Sequence, residues 1–232
     1  LDYIKQKGTL IVGITEFKPM DYQEGSDEWI GFDADTAKLF AESLGVKAEF
    51  IIIDWDNKIM EINNKSIDCV WNGMTLTEEV MSSMACSNAY CNNSQVVIVP
   101  ADKADQYQTV DSVKELAFAV ETGSAGKEQV EALDAKFTEV QDQATALMEV
   151  NSHTADAAVI DSLMAAAMIG EGTSYSNLTY TVGLNSEEYG VGFRKGSDLA
   201  EKLNEFFKAS YEDGSMKTVA ETYGVQAALV EQ

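Results

Sequence analysis

Arginine is almost absent from this chain: Arg194 is the only one in 232 residues. Histidine is as scarce, with His153 alone. A His-based metal site or a Ser-His-Asp triad therefore has almost no material, and His153 reads as a surface-loop residue. Cysteines number three, Cys69, Cys86 and Cys91, and their spacing fits no zinc pattern. Cys86 and Cys91 are close enough for a disulfide to be conceivable, but the reading favours free, partly buried thiols. There are two prolines, Pro19 and Pro100. Basic charge is short overall: 16 basic against 39 acidic residues gives a formal net of −23. That balance argues against nucleic acid, whose binding depends on basic surface, and against an anionic membrane surface. It fits the solubility of an exported or salt-tolerant protein, and secondarily the attraction of cationic ligands. No stretch approaches the roughly 18 apolar residues of a membrane span. The opening L-D-Y-I-K-Q-K-G does not read as a signal peptide, so an exported form would have lost its signal.

What is present is an α/β pattern. T-L-I-V-G-I (9–14) reads as a buried strand, and E-F-K-P-M-D-Y as the loop after it. Phe32, Leu39, Phe40 and Leu44 have roughly helical spacing, with Asp33 as N-cap and Gly45 as the stop. V-K-A-E-F-I-I-I (46–53) is a second strand, a short helix follows at 56–64, and D-C-V-W-N-G (68–73) is a third strand. This order argues for a parallel sheet with helices on both faces. The theme then repeats. S-Q-V-V-I-V-P (94–100) is β-branched, and L-A-F-A-V-E-T-G-S-A-G (116–126) is a strand entering a Gly-rich turn. K-E-Q-V-E-A-L-D-A-K-F has helical character, and A-D-A-A-V-I-D (155–161) is a strand before the apolar helix S-L-M-A-A-A-M-I. E-Y-G-V-G-F (188–193) is strand-like, with helices near 197–212 and 215–223. No solenoid period is visible.

In open parallel sheets, ligands sit beyond the C-terminal ends of strands. Three polar turns follow strand ends here, at 15–22, 72–79 and 121–126, and Asp161 ends a fourth strand. If those ends converge, they surround one cleft.

The chain resembles the extracytoplasmic solute-binding proteins of the polar amino-acid ABC uptake family, type II periplasmic-binding-protein-like. Seven stretches carry the resemblance, in order: G-T-L-I-V-G-I, W-I-G-F-D-A-D-T-A-K-L-F-A, I-D-W-D-N-K-I-M, I-D-C-V-W-N-G-M-T-L-T, S-N-A-Y-C-N-N-S-Q-V-V-I-V, F-A-V-E-T-G-S-A-G and Y-G-V-G-F-R-K-G-S-D-L. The resemblance implies two α/β lobes joined by two hinge strands with the ligand cleft between. Lobe one would comprise residues 1–96 and 189–232, and lobe two 97–188. Closure of the hinge on the ligand would present the protein to a membrane permease. The resemblance further implies a monomer, held outside the cytoplasm as a periplasmic protein or a cell-surface lipoprotein. No cofactor or metal is expected, and no catalysis.

The same resemblance places ligand contacts. Phe17 corresponds to the aromatic that stacks on the ligand side chain, and Trp55 to a position that faces it. Asn72, Gly73, Met74 and Thr75 form the turn whose backbone and hydroxyl accept the ligand ammonium, with Gly73 allowing close approach. Trp71 points away from Asn72 by strand alternation and reads as core. Gly123, Ser124 and Ala125 start a helix whose free N–H groups suit an anion such as a carboxylate; the bland reading of Ser124 is plain N-capping. Asp161 corresponds to the carboxylate that pairs with the α-ammonium. Glu121 and Tyr189 complete the set.

One departure stands out. Family members usually continue T-x-T-P-E-R and grip the ligand carboxylate with that arginine. Here T-L-T-E-E-V puts Val80 in its place, and Arg194 belongs to the structural F-R-K-G motif. No lysine is near Val80 in sequence. Two explanations stay open. One is an α-amino acid held by Ser124, the helix N-terminus and backbone amides. The other is an amine or quaternary ammonium ligand caged by Phe17, Trp55, Tyr189 and Asp161. The amino acid fits the rest of the pattern better. A ligand-sensing domain, a cyclohexadienyl dehydratase on the same scaffold and a degenerate binder with no ligand are the remaining alternatives, the dehydratase disfavoured by the missing arginine.

Overall fold

A computed structural model describes the whole chain, residues 1–232. The chain forms two compact units, residues 1–92 with 187–232, and residues 93–186. It crosses from one to the other twice. Residues 93–96, placed in lobe one by sequence, lie in the second unit, and Glu187 and Glu188, placed in lobe two, lie in the first.

The first stretch of unit one contains α1 (Asp2–Lys7), β1 (Thr9–Ile14), β2 (Tyr22–Gln23), β3 (Trp29–Ile30), α2 (Phe32–Ser43) and β4 (Lys47–Ile52). A 3-10 turn at Trp55–Asn57 leads into α3 (Lys58–Asn63), followed by β5 (Cys69–Thr75), α4 (Glu78–Ser83), β6 (Ala85–Cys86) and β7 (Cys91–Asn93). Unit two holds β8 (Gln95–Pro100), α5 (Val110–Val113), β9 (Ala117–Glu121), α6 (Ala125–Ala132) and β10 (Lys136–Val140). It ends with α7 (Gln143–Asn151), β11 (Ala157–Asp161), α8 (Ser162–Met168) and β12 (Leu178–Gly183). The chain returns to unit one through β13 (Glu187–Phe193), α9 (Leu199–Glu212) and α10 (Ser215–Thr222).

The main sheet of unit one has the order β4-β1-β5-β13-β6, with β7 pairing β13. Strands β4, β1 and β5 are parallel, as βαβ crossovers require. Strand β13 runs antiparallel to β5, and β6 antiparallel to β13. In unit two the order is β10-β9-β11-β8-β12. There β10, β9 and β11 are parallel, and β8 runs antiparallel to both its neighbours, β11 and β12. The all-parallel expectation is thus corrected: each sheet is mixed. A chain that leaves a unit and returns supplies strands without the crossover helix that fixes parallel direction.

Helix α2 buries Phe32, Ala37, Phe40 and Ala41 on one face. Leu39, expected on that face, is an exposed residue. Gly45, at φ 76, accommodates the left-handed turn that ends the helix, as expected. Asp33 is not the N-cap; Gly31 holds that place, and Asp33 is buried inside the first turn. Trp71 packs with Phe40 and Phe207 in the unit-one core, as alternation predicts. In α9, Leu199, Leu203 and Phe207 recur at helical spacing and face inward. The core of unit two gathers Val97, Val99, Phe118, Val120, Val130 and Val159 from strands and α6. Two further expectations fail there. The helix read through Phe137 stops at Ala132, and Lys136–Val140 is a strand. Helix α7 and strand β12 carry too little periodic contrast to be read in advance. All three cysteines are free, Cys69 and Cys91 buried. His153 is exposed in the turn after α7.

Candidate functional site

In unit one, residues 72–75 are not a turn. Strand β5 runs straight through them to Thr75, paired with β13. Asn72 is committed to the scaffold. Its Oδ1 accepts from the Thr15 N–H at 3.0 Å, and its Nδ2 donates to Thr15 Oγ1 at 2.7 Å. This two-way bond ties the exit of β1 to β5. The Gly73 N–H donates to Asp33 Oδ2 at 2.6 Å, and the Tyr90 hydroxyl donates to the same oxygen at 2.8 Å. Gly73 has φ 53, and a Cβ there would stand 3.1 Å from the Tyr189 ring and 3.4 Å from Phe17. Glycine is needed on both counts. Phe17 and Tyr189 meet edge to face, with centroids 6.3 Å apart. The structure therefore brings Phe17, Gly73 and Tyr189 together. Met74 points into the core beside Val80 and Trp55. The Thr75 hydroxyl donates to Glu187 Oε1 at 2.8 Å.

Two buried acids lie near this point: Asp33, which the sequence offered only as a cap, and Asp21, which it did not single out. Burial raises Asp33 to about 7, against the hydrogen bonds from Tyr90 and Gly73 that pull the other way. Burial also raises Asp21 well above the usual carboxylate range, and the neighbouring Asp33 and Asp35 charges push it further. Neither Asp21 oxygen has a hydrogen-bond partner. A buried carboxyl without donors favours its protonated form. The G-F-D motif was the available signal; capping was the wrong use for its aspartate.

Trp55 is 6% exposed and sits in an apolar cluster with Ile53, Val70, Met74, Val80 and Met84. The Lys58 Nζ lies 4.7 Å from the centroid of the Trp55 ring. It also donates to the Trp55 carbonyl at 3.3 Å. An ammonium on that ring repels a second cation there, which weakens the aromatic-cage reading. Val80 is 3% exposed, and its N–H is taken by the Thr77 hydroxyl that caps α4. So the place of the family's arginine is apolar and packed. Arg194 lies elsewhere. Its Nη1 donates to the carbonyls of Ile62 and Ile67, at 2.6 and 3.3 Å.

In unit two, Glu121 ends β9 as a buried residue. Gly123, at φ 65, turns the chain into α6. Ser124 is the N-cap, its Oγ accepting from the Lys127 N–H at 3.1 Å. The capping role thus holds, and the hydroxyl hydrogen is left to donate elsewhere. Ala125 is the first residue of α6. Asp161 ends β11 and is 4% exposed. It makes no side-chain cap to α8. Instead its Oδ1 accepts from Gln95 Nε2 at 2.7 Å and from Gln143 Nε2 at 3.1 Å. Gln143 Oε1 accepts in turn from the Asp161 N–H at 2.9 Å. Two amides from different elements therefore fix this carboxylate. Neither glutamine was visible as a partner in sequence, since β8 and α7 meet β11 only through the sheet.

These features define a two-lobed α/β solute-binding fold of the type II periplasmic kind. Residues 10–226 match the model of the bacterial extracellular solute-binding proteins, family 3, and the chain belongs to that family. It is 28% identical over 218 residues to the arginine-binding extracellular protein ArtP of Bacillus subtilis, covering 91% of this chain and 84% of that one. It is 25% identical over 229 residues to the L-cystine-binding protein TcyJ of Escherichia coli, covering 96% and 85%. Among solved structures it resembles the ancestral amino acid-binding protein AncCDT-1, a precursor of cyclohexadienyl dehydratase. The TM-score is 0.88 at 30% identity, covering 96% of this chain and 98% of that one. No helix is long and apolar enough to cross a membrane.

Proposed function

We propose that this protein captures a free amino acid outside the cytoplasm and delivers it to the permease of an ABC uptake transporter, without catalysis. The observation that carries the reading is Asp161. It is a buried carboxylate, fixed by Gln95 and Gln143, in a chain whose relatives bind amino acids. Such a carboxylate suits an α-ammonium, and a charge-assisted bond of this kind contributes about 1.5–3 kcal/mol. Phe17, Trp55, Gly73, Thr75 and Tyr189 in unit one, and Glu121, Gly123, Ser124 and Ala125 in unit two, complete the proposed contacts. Asn72 and Met74 act indirectly, through Thr15 and the core. The raised acids Asp21 and Asp33 do not offer a dehydratase acid, because both are fully buried and Asp33 is in addition bonded to the scaffold.

Thermal-shift measurement against the twenty L-amino acids tests the proposal. A ligand at 100 times its Kd stabilises by about 2.7 kcal/mol. At least one amino acid should raise the midpoint by several degrees. If biogenic amines raise it and no amino acid does, the ligand lacks a carboxylate and the proposal fails.

A further inference from the structure

Phe17 meets Gly73 where a loop and a strand converge, and a buried acid holds each of them. Asp21 frames the loop. The Phe17 N–H donates to the Asp21 carbonyl at 2.7 Å, and the Asp21 N–H to the Phe17 carbonyl at 2.8 Å. Asp33 holds the strand, its Oδ2 accepting from the Gly73 N–H at 2.6 Å. The start of α2 brings the two acids together: the Asp33 N–H donates to the carbonyl of Met20, the residue before Asp21, at 3.0 Å. Gly31 permits that approach, since a Cβ there would stand 2.2 Å from the Met20 oxygen.

Both side chains are fully buried. Neither Asp21 oxygen has a hydrogen-bond partner, and Asp33 Oδ1 has none. The Trp71 indole N–H favours the Asp33 carboxylate less than Tyr90 and Gly73 do, and it too lacks a bond. The cations on the same loop and helix are engaged elsewhere. Lys18 pairs with Glu24, and Lys38 with Glu28 and Asp35. Lys7, whose charge reaches Cys69, pairs with Asp68. The other groups facing the pair are Asp35, Cys69, Tyr90 and Cys91, with the Tyr223 hydroxyl donating to Asp35. Asp35 adds to the repulsion on an ionised Asp21. Burial pushes both thiols and the Tyr90 hydroxyl well up, so they stay neutral at neutral pH. That leaves the two carboxyls to relieve their own repulsion. Like charges sharing a dry site do not both ionise, and a protonated carboxyl supplies the donor that this site lacks.

We propose that a proton held between Asp21 and Asp33 seats the Phe17 loop against β5, which makes both acids positioning residues for the ligand and lowers ligand affinity as pH rises. The inference rests on the amino-acid reading above. Loss of the proton leaves two like charges behind Phe17 and Gly73 and drives the loop from the strand. Linkage is reciprocal, so ligand binding takes up protons in the same pH range.

Isothermal titration tests it, with the L-amino acid that most raises the wild-type midpoint as probe. Wild type is titrated from about pH 6 to about pH 8, and near neutral pH in two buffers of different ionisation enthalpy. The Kd should rise about tenfold across that range, within the limit of one linked proton, and the heat should depend on the buffer. Asp21→Asn replaces the titrating group by a neutral amide of the same size, so it should flatten the profile and cut the proton uptake. Asp33→Asn breaks the same pair and gives the same reading if Asp21→Asn does not fold. A merely structural Asp21 would change the Kd by one factor at every pH and leave the slope. A flat wild-type profile without buffer dependence, or a slope and uptake that survive the substitution, overturns the proposal and leaves the amino-acid reading intact. If no L-amino acid stabilises the wild type, the amino-acid reading falls and this proposal falls with it.

Discussion

Asp33 makes the stability of this protein depend on pH in an unusual direction. Its carboxyl is fully buried and raised from 3.8 to about 7, chiefly by desolvation. Between those values the folded chain keeps a proton that the unfolded chain has released. Stability must then fall as pH rises. The contribution is complete below about pH 4 and lost above about pH 7. A shift of about three units, at about 1.36 kcal/mol each, amounts to about 4 kcal/mol. Asp33→Asn removes this titration. The asparagine oxygen can still accept from the Gly73 N–H, but one of the two hydrogen bonds to the carboxylate is disturbed, a loss of about 1–2 kcal/mol. Below pH 4.5 the variant should therefore be the less stable form. Above pH 7.5 it should be more stable than wild type by about 2–3 kcal/mol, because the ionised carboxylate is no longer buried. Urea unfolding at half-unit steps from pH 4 to 8 measures both curves. Repulsion among the surface acids is common to both proteins, whereas the Asp33 charge also raises Asp21, so the difference between the curves reports the Asp21–Asp33 pair. Parallel curves across that range would refute the reasoning.

Three further outcomes follow from the geometry. Gly73→Ala should lower stability by about 1–3 kcal/mol, since a Cβ there meets the Tyr189 ring at a left-handed φ, and should also weaken amino-acid binding; differential scanning fluorimetry and titration read the two effects. Asp161→Ala should weaken amino acids and amines alike by about ten- to hundredfold, because both carry the ammonium, and titration with either class checks it. Val80→Arg should lower the ligand-free melting midpoint by overpacking the Trp55–Met74 cluster, at a cost of about 1–3 kcal/mol, yet strengthen an amino acid relative to the amine that lacks its carboxyl group; a melting scan and the same titration test both halves.

The sequence was most legible where a local rule acted alone. Strand β1, the alternation that buries Trp71, and the glycine after α2 all follow from period or φ. Legibility ended where long-range pairing decided the role. Asp33 sits at a helix start and reads as a cap, but a strand 40 residues away supplies the N–H that claims its carboxylate. Gln95 and Gln143 look like ordinary polar residues until β8, β11 and α7 place their amides on Asp161. The direction of β13 was hidden for the same reason. It is the strand on which the chain returns, and nothing local marks which way a returning strand runs.

The two buried aspartates show why a ligand role cannot be assigned from burial and charge alone. Asp33 accepts from a backbone N–H of β5 and from a tyrosine, both parts of the scaffold. Those donors position Gly73 against the Phe17–Tyr189 pair, and the acid acts on binding only through that position. Asp161 is held by side-chain amides, one of which also accepts from its own backbone N–H. That arrangement fixes an orientation, and a fixed acceptor loses little freedom when an ammonium arrives. Selectivity in this chain is therefore expected to depend on how firmly each charge is oriented by neutral partners. Substituting Gln143 or Trp55 should accordingly change which ligands are preferred, although neither carries a charge.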